Sequence, residues 1–177
     1  VKFLYVGRVA VEKNLHLLAK AFRDLCAAGH NAHLIVIGDG PYRAELERQL
    51  EGLPVIFTGY LQGDVLASAI ASADVKLFPS TTDTWGNAPL EAQASGLPVV
   101  VSDIGGPAEL MEHGVTGLKV RGNDAAALYC AMEDLMDPVT RQRLGRGARL
   151  FAEANRVDEP FTAILDSDLH RRRLKEE

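Results

Sequence analysis

Cysteine is nearly missing from this chain: Cys26 and Cys130 are the only two. A disulfide framework of the kind that staples small secreted domains is therefore unsupported. Both thiols lie among apolar helical neighbours and are expected to be buried. No apolar run approaches the roughly 20 residues that span a bilayer, and no signal-peptide pattern opens the chain. Positive charge is not in excess either. A net charge of −5 gives no general reason to bind nucleic acid or an anionic membrane. Several ligand fingerprints are absent as well. Gly38-Asp39-Gly40 lacks the third glycine of the dinucleotide motif, because Arg43 stands there. No glycine is followed by Lys and then Ser or Thr, which removes the phosphate loop of nucleoside-triphosphate hydrolases. There is no His-Glu-x-x-His, no Cys/His spacing suited to zinc, and no ligand spacing among the five histidines. Ser95 follows Gln93-Ala94 and not a glycine, so it makes no nucleophile elbow.

What is present is one domain's worth of core. The 177 residues, 47% hydrophobic, suffice to bury roughly 70% of the surface of the unfolded chain. Val1 to Gly7 reads as a buried strand from the first residue with no initiator Met. Residues 1–177 are thus expected to be a single domain of a longer protein, with the remainder N-terminal. Apolar runs at Phe3–Val6, Leu34–Ile37, Val55–Phe57, Val75–Phe78 and Pro98–Val101, with a sixth at Gly117–Val120, read as strands. Helical patterns separate them: Leu15, Leu18, Phe22 and Leu25 on one face, a charged helix over Pro41–Leu50, then Val65–Ile70, Ala88–Ser95 and Ala108–Glu112. Strands this apolar, alternating with helices, indicate a Rossmann-like α/β fold. About six parallel strands would be covered by helices on both faces, with each strand too apolar to be half-exposed. Beyond Asn123 the pattern is all helix, with Leu128, Ala131, Met132, Leu135 and Met136 on one face, a second helix from Pro138, and a third over 161–174.

Ligands of open α/β sheets bind at the carboxyl ends of the strands, and the unusual residues fall at those ends. They are Gly7-Arg8 with Lys13, then Gly38-Asp39-Gly40, Thr58-Gly59-Tyr60, the run from Ser80 to Asn87, and Ser102 to Gly106. Arg8 and Lys13 suit a pyrophosphate, the one through bidentate hydrogen bonds and the other as a point charge. Gly86-Asn87-Ala88 opens the helix that carries Glu91, and free N–H groups at a helix start favour anions. Asp83 and Glu91 bracket that start and can accept hydrogen bonds from sugar hydroxyls. A diphosphate flanked by two polyols is a nucleotide sugar. Blander roles are open: solvated loop cations for Arg8 and Lys13, a first-turn acid for Glu91, a turn residue for Asp83. Trp85 fits packing better than a sugar platform, Asn87 fits a helix cap, and Gly38-Asp39-Gly40 serves equally as a structural turn. The run His170-Arg171-Arg172-Arg173 reads as a solvated helix end.

Taken together, Gly7-Arg8-(x4)-Lys13-Asn14, Ile37-Gly38-Asp39-Gly40-Pro41, Phe57-Thr58-Gly59-Tyr60 and Pro79-Ser80-(x2)-Asp83-(x)-Trp85-Gly86-Asn87-(x3)-Glu91-Ala92-(x2)-Ser95-Gly96-Leu97-Pro98 form an ordered set. With Gly105-Gly106-Pro107-Ala108-Glu109-Leu110, this set resembles the C-terminal domain of glycosyltransferase family 4, the retaining GT-B enzymes. The resemblance implies donor-diphosphate contacts at Arg8 and Lys13 beside Gly7. It implies a donor-sugar contact at Asp83, where the family has Glu, and a ribose contact at Glu91. Backbone facing phosphate and sugar is implied at Gly86, Asn87 and Ala88, with the base near Tyr60 and Leu61. It further implies transfer of a sugar to an acceptor hydroxyl with retention, and no metal or other cofactor. The acceptor (glycan, lipid or small molecule) would be held mainly by an N-terminal domain. A cytoplasmic enzyme, in peripheral contact with the inner face of a membrane through the complete protein, is expected. Other GT-B enzymes, an epimerase or a phosphorylase, and a non-catalytic nucleotide-binding module are the alternatives.

Overall fold

In the computed structural model, which describes residues 1–83 and 88–155, six parallel strands form one sheet in the order β3-β2-β1-β4-β5-β6. The strands are β1 (Lys2–Val6), β2 (His33–Ile37), β3 (Val55–Gly59), β4 (Val75–Phe78), β5 (Val99–Ser102) and β6 (Gly117–Val120). The helices among the described residues are α1 (Leu15–Ala27), α2 (Arg43–Gln49), α3 (Gly63–Ala71), α4 (Ala88–Ala94), α5 (Ala125–Asp134) and α6 (Pro138–Ala154). The chain winds outward from β1 to β3, then returns to β4 and winds the other way. The loops after β1 and β4 therefore diverge and leave a crevice at the reversal.

Alternation along β1 sorts the core into two layers. Phe3 and Tyr5 face a cluster with Leu18, Phe22 and Leu25 of α1 and Leu128 and Met132 of α5. Leu4 faces a second cluster with Ile70 of α3, Ala92 of α4, Phe78, Val99 and Val101. Helix α1 forms because Leu15, Leu18, Phe22 and Leu25 recur on one face, and all four are fully buried. Each such side chain contributes about 1.5–3 kcal/mol by leaving water. Helices α5 and α6 begin at aspartate caps: the Asp124 side chain accepts from the N–H groups of Ala126 and Ala127, and Asp137 from that of Thr140. Pro138 takes the first turn of α6. Buried Gln93 ties α4 to the 3-10 turn Gly106–Leu110 by donating to the Leu110 carbonyl at 2.8 Å.

Three expectations need correction. Strand β3 is half-exposed, with Ile56 57% accessible, because it is the outer edge of the sheet. Pro41 precedes helix α2. The backbone there is drawn into a turn by the Tyr42 N–H donating to the Val9 carbonyl, and the helix starts at Arg43. Neither cysteine is fully buried. Cys130 is exposed because it points away from the Leu128–Met132 face of α5, and Cys26 is half-buried, its thiol pushed up by that burial. The helix expected over 161–174, and the basic run at 170–173, lie outside the described residues.

Candidate functional site

The first loop is seated by glycines. Gly7 donates to the Ile37 carbonyl and Val9 to the Asp39 carbonyl, both at 3.0 Å. Gly38 (φ +127) comes so close that an added Cβ would stand 2.0 Å from the Gly7 carbonyl oxygen. The Gly38-Asp39-Gly40 turn is therefore structural: it carries the loop that holds Arg8. Its carboxylate is turned to local use, with Asp39 accepting from the Gly40 N–H at 2.7 Å and from Arg43 at 3.1 Å.

Asn14, which the sequence reading left without a role, joins three loops. It adopts left-handed backbone (φ 56), which asparagine tolerates. Its side-chain amide donates to the Pro79 carbonyl, the Thr81 hydroxyl and the Asn123 side-chain oxygen at 3.1–3.2 Å. That bridge places the preceding residue, Lys13, against the loop after β4, where its ammonium forms a hydrogen-bonded ion pair with the Asp83 carboxylate. The Asp83 backbone is held from the other side by the Gly106 N–H, which donates to its carbonyl at 2.8 Å. Gly105 (φ +100) permits this, since a Cβ there would stand 2.9 Å from the same oxygen.

These contacts enclose a cavity of about 250 Å³ at the strand-order reversal, lined by Gly7, Arg8, Lys13, Asp83 and Ala88 together with Tyr5, Phe78 and Ser80. Arg8 stays accessible. Its side chain is 65% exposed, and its 3.7 Å approach to Glu12 is a surface contact worth little. Tyr5 belongs to the same wall: its buried hydroxyl donates to the Arg8 carbonyl at 2.8 Å. Burial, and then the charges of Asp83 and Glu12, hold the phenol above its ordinary range, so it remains a neutral donor. A tyrosine in a strand gives no sequence signal for this. It needs the observation that β1 ends at the crevice.

The remaining expected residues divide. Glu91 is exposed in the first turn of α4, beside Ala88 and Pro89 but outside the cavity lining. Tyr60 and Leu61 lie after β3, two strands from β1, and do not line the cavity either. Tyr60 is 71% exposed and donates to the Asp39 carbonyl at 3.2 Å, while Leu61 packs on the core. Trp85, Gly86 and Asn87 lie outside the described residues. Among the described residues no three His, Cys, Asp or Glu side chains converge to hold a metal ion, and no helix is long and apolar enough to cross a membrane.

Comparison with known proteins agrees with this architecture. Among solved structures, HepE of Anabaena in complex with UDP superposes with a TM-score of 0.81 at 24% identity, covering 94% of this chain and 48% of that one. Sucrose-phosphate synthase of Thermosynechococcus elongatus gives 0.81 at 29% identity over 99% of this chain and 46% of that one. The sulfoquinovosyl transferase SQD2 of Arabidopsis thaliana is 40% identical over 150 residues, 82% of this chain and 29% of its own length. A GDP-mannose-dependent alpha-(1-6)-phosphatidylinositol dimannoside mannosyltransferase of Mycobacterium tuberculosis is 44% identical over 103 residues, 58% of this chain and 27% of its own. The chain thus spans less than a third of the length of these two relatives. The family model described as glycosyl transferases group 1 matches residues 1–138. With more than half of its length matched, the chain belongs to the glycosyl transferase group 1 family.

Proposed function

We propose that the crevice between the β1 and β4 loops binds a nucleoside-diphosphate sugar, and that the chain is the donor-binding part of a retaining glycosyltransferase. The observation that carries this reading is the convergence of Gly7, Arg8, Lys13, Asp83 and Ala88 on one cavity at the strand-order reversal. Arg8 and Lys13 hold the diphosphate and neutralise the charge that develops on it as the sugar leaves, which favours the transition state over the bound donor. Lys13 is shared: its ammonium rests on Asp83, and a diphosphate entering the cavity competes with that carboxylate for it. Asp83, one methylene shorter than Glu, then accepts from sugar hydroxyls. Glu91 accepts from the ribose, the backbone at Gly86, Asn87 and Ala88 faces phosphate and sugar, and the base lies toward Tyr60 and Leu61. No metal enters this scheme, because the two cations carry the charge.

The relatives' names favour transfer over epimerisation or phosphorolysis, and the HepE structure with UDP supports a diphosphate donor. The acceptor would be a glycan, a lipid or a small molecule, presented mainly by an N-terminal domain. A relative named for phosphatidylinositol dimannoside makes a lipid-linked acceptor worth testing first. A cytoplasmic enzyme meeting the inner face of a membrane through the complete protein fits such an acceptor. The test is to incubate the complete protein with a panel of UDP- and GDP-sugars and candidate acceptors. Release of nucleoside diphosphate with a glycosylated product of retained anomeric configuration is expected. Epimerised nucleotide sugar, or phosphate-dependent release of sugar 1-phosphate, would overturn the reading.

A further inference from the structure

Lys76 occupies a place built for a hydrophobic residue. It lies in the centre of β4, is 1% exposed, and is flanked in register by Leu4 of β1 and Val99 of β5, both fully buried. Register partners in a parallel sheet point to the same face, and Leu4 and Val99 belong to the cluster that includes Ala92 of α4. The lysine stem therefore enters the layer between the sheet and α4, on the same side as Phe78 two residues on. Its ammonium lies 5.4 Å from the centroid of the Phe78 ring, and Phe78, Ala88 and Pro89 line the cavity. The cation thus lies in the layer that α4 covers, and α4 is the helix that bears Glu91.

Packing does not account for this residue. Attraction to one aromatic face is small beside the cost of taking an ammonium out of water, and a methionine would fill a similar volume without that cost. Burial lowers the lysine's pKa to about 8, and the Glu91 charge is what opposes that lowering. Glu91 itself is exposed, and a lone exposed glutamate samples several rotamers.

We propose that Lys76 is a positioning residue for Glu91: its buried ammonium, in the layer between the sheet and α4, draws the Glu91 carboxylate toward the cavity wall and orders it to accept the ribose hydroxyls of the donor. This rests on the reading of Glu91 as the ribose contact. It makes Lys76 part of nucleoside recognition and leaves the diphosphate to Arg8 and Lys13. A ligand with a ribose should feel the loss of Lys76, and one without should not.

The test is calorimetric titration of the chain with UDP and, separately, with inorganic pyrophosphate, using Lys76→Met, Lys76→Gln, Glu91→Gln and the Lys76→Met/Glu91→Gln pair. Thermal melts confirm that each variant is folded, and two substitutions at Lys76 guard against one being poorly accommodated. Either Lys76 variant is expected to weaken UDP about tenfold while changing pyrophosphate by less than about twofold. In the Glu91→Gln background, Lys76→Met should add little. Equal weakening of UDP and pyrophosphate, or unchanged UDP affinity in folded Lys76 variants while Glu91→Gln lowers it, overturns the role of Lys76 alone. Unchanged UDP affinity in Glu91→Gln overturns the ribose reading of Glu91, and the inference with it.

Discussion

At the carboxyl edge of the sheet, Gly38 meets the Gly7 carbonyl so closely that an added Cβ would stand 2.0 Å from its oxygen; at the amino edge, a Cβ added to Gly145 of α6 would stand 2.5 Å from the Gly96 carbonyl oxygen. Both edges are closed by bare backbone, and both carry a cavity and cations. The amino-edge groove is the larger, about 460 Å³ against about 250 Å³, and three arginines line it: Arg141, Arg146 and Arg149. Size and charge alone would choose it. Its arginines, however, are mostly engaged. Arg141 donates to the Leu135 and Met136 carbonyls at 2.6 and 2.7 Å, at the end of α5. Arg149 pairs with Glu153 and donates to the Ala94 carbonyl at the end of α4. These cations complete helix ends, as the carbonyls there require. The carboxyl-edge crevice instead leaves Arg8 accessible and gathers groups from different loops. Position at the strand-order reversal, with side chains not consumed by the fold, is why we propose the carboxyl-edge crevice over the larger groove.

The largest effects should fall on the glycine contacts. Gly38→Ala should destabilise the chain by about 3 kcal/mol or more, because the new methyl meets backbone that cannot yield and φ +127 is strained for alanine. Gly145→Ala should cost somewhat less, and denaturant titration compares the two. Unchanged stability in Gly38→Ala would remove the structural role of the Gly38-Asp39-Gly40 turn.

Next is Lys76→Met, expected to raise stability at pH 7. The ordinary lysine pKa of 10.5 falls to about 8 in the folded chain, so between those values the unfolded chain binds the extra proton. Wild-type stability therefore rises with pH across that window, and the burial penalty is fully present below it. The advantage of methionine should approach, as an upper limit, roughly 3 kcal/mol at pH 7, and shrink from pH 8 toward 10.5. A gap that widens with pH would contradict the buried cation.

Third, Arg8→Ala should cost about 1–3 kcal/mol of UDP binding, whereas Arg146→Ala at the other edge should leave affinity unchanged; equal losses would erase the contrast between edges. Smallest, Asp137→Ala should lower stability by about 1 kcal/mol through loss of the α6 cap, with no effect on nucleotide affinity.

Much of this was legible in the sequence because it rests on local regularities. Alternating apolar runs predict six strands, and the order of loop residues puts Arg8, Lys13 and Asp83 at the carboxyl edge, where the structure brings them around one cavity. What could not be read depends on which strands are neighbours. Nothing in its own segment shows that β3 is an edge strand or that Tyr5 faces the crevice. The pairing of Lys13 with Asp83, 70 residues apart, depends on Asn14 reaching across to the loop after β4. The Val75–Phe78 run alone assigns Lys76 no role, because its burial between Leu4 and Val99 depends on which strands flank β4. Tyr60 and Leu61 show the converse: a loop in the expected motif lies outside the cavity lining, because two strand spacings separate β3 from β1.

The central claim is that the β1–β4 crevice binds a nucleoside diphosphate through Arg8 and Lys13. Calorimetric titration of the chain with UDP and with GDP tests it most directly. The account predicts saturable binding of at least one of them below millimolar concentration, weakened about tenfold or more in Arg8→Ala and unchanged in Arg146→Ala. No heat from either nucleotide at millimolar concentration, or equal binding by wild type and Arg8→Ala, would contradict it.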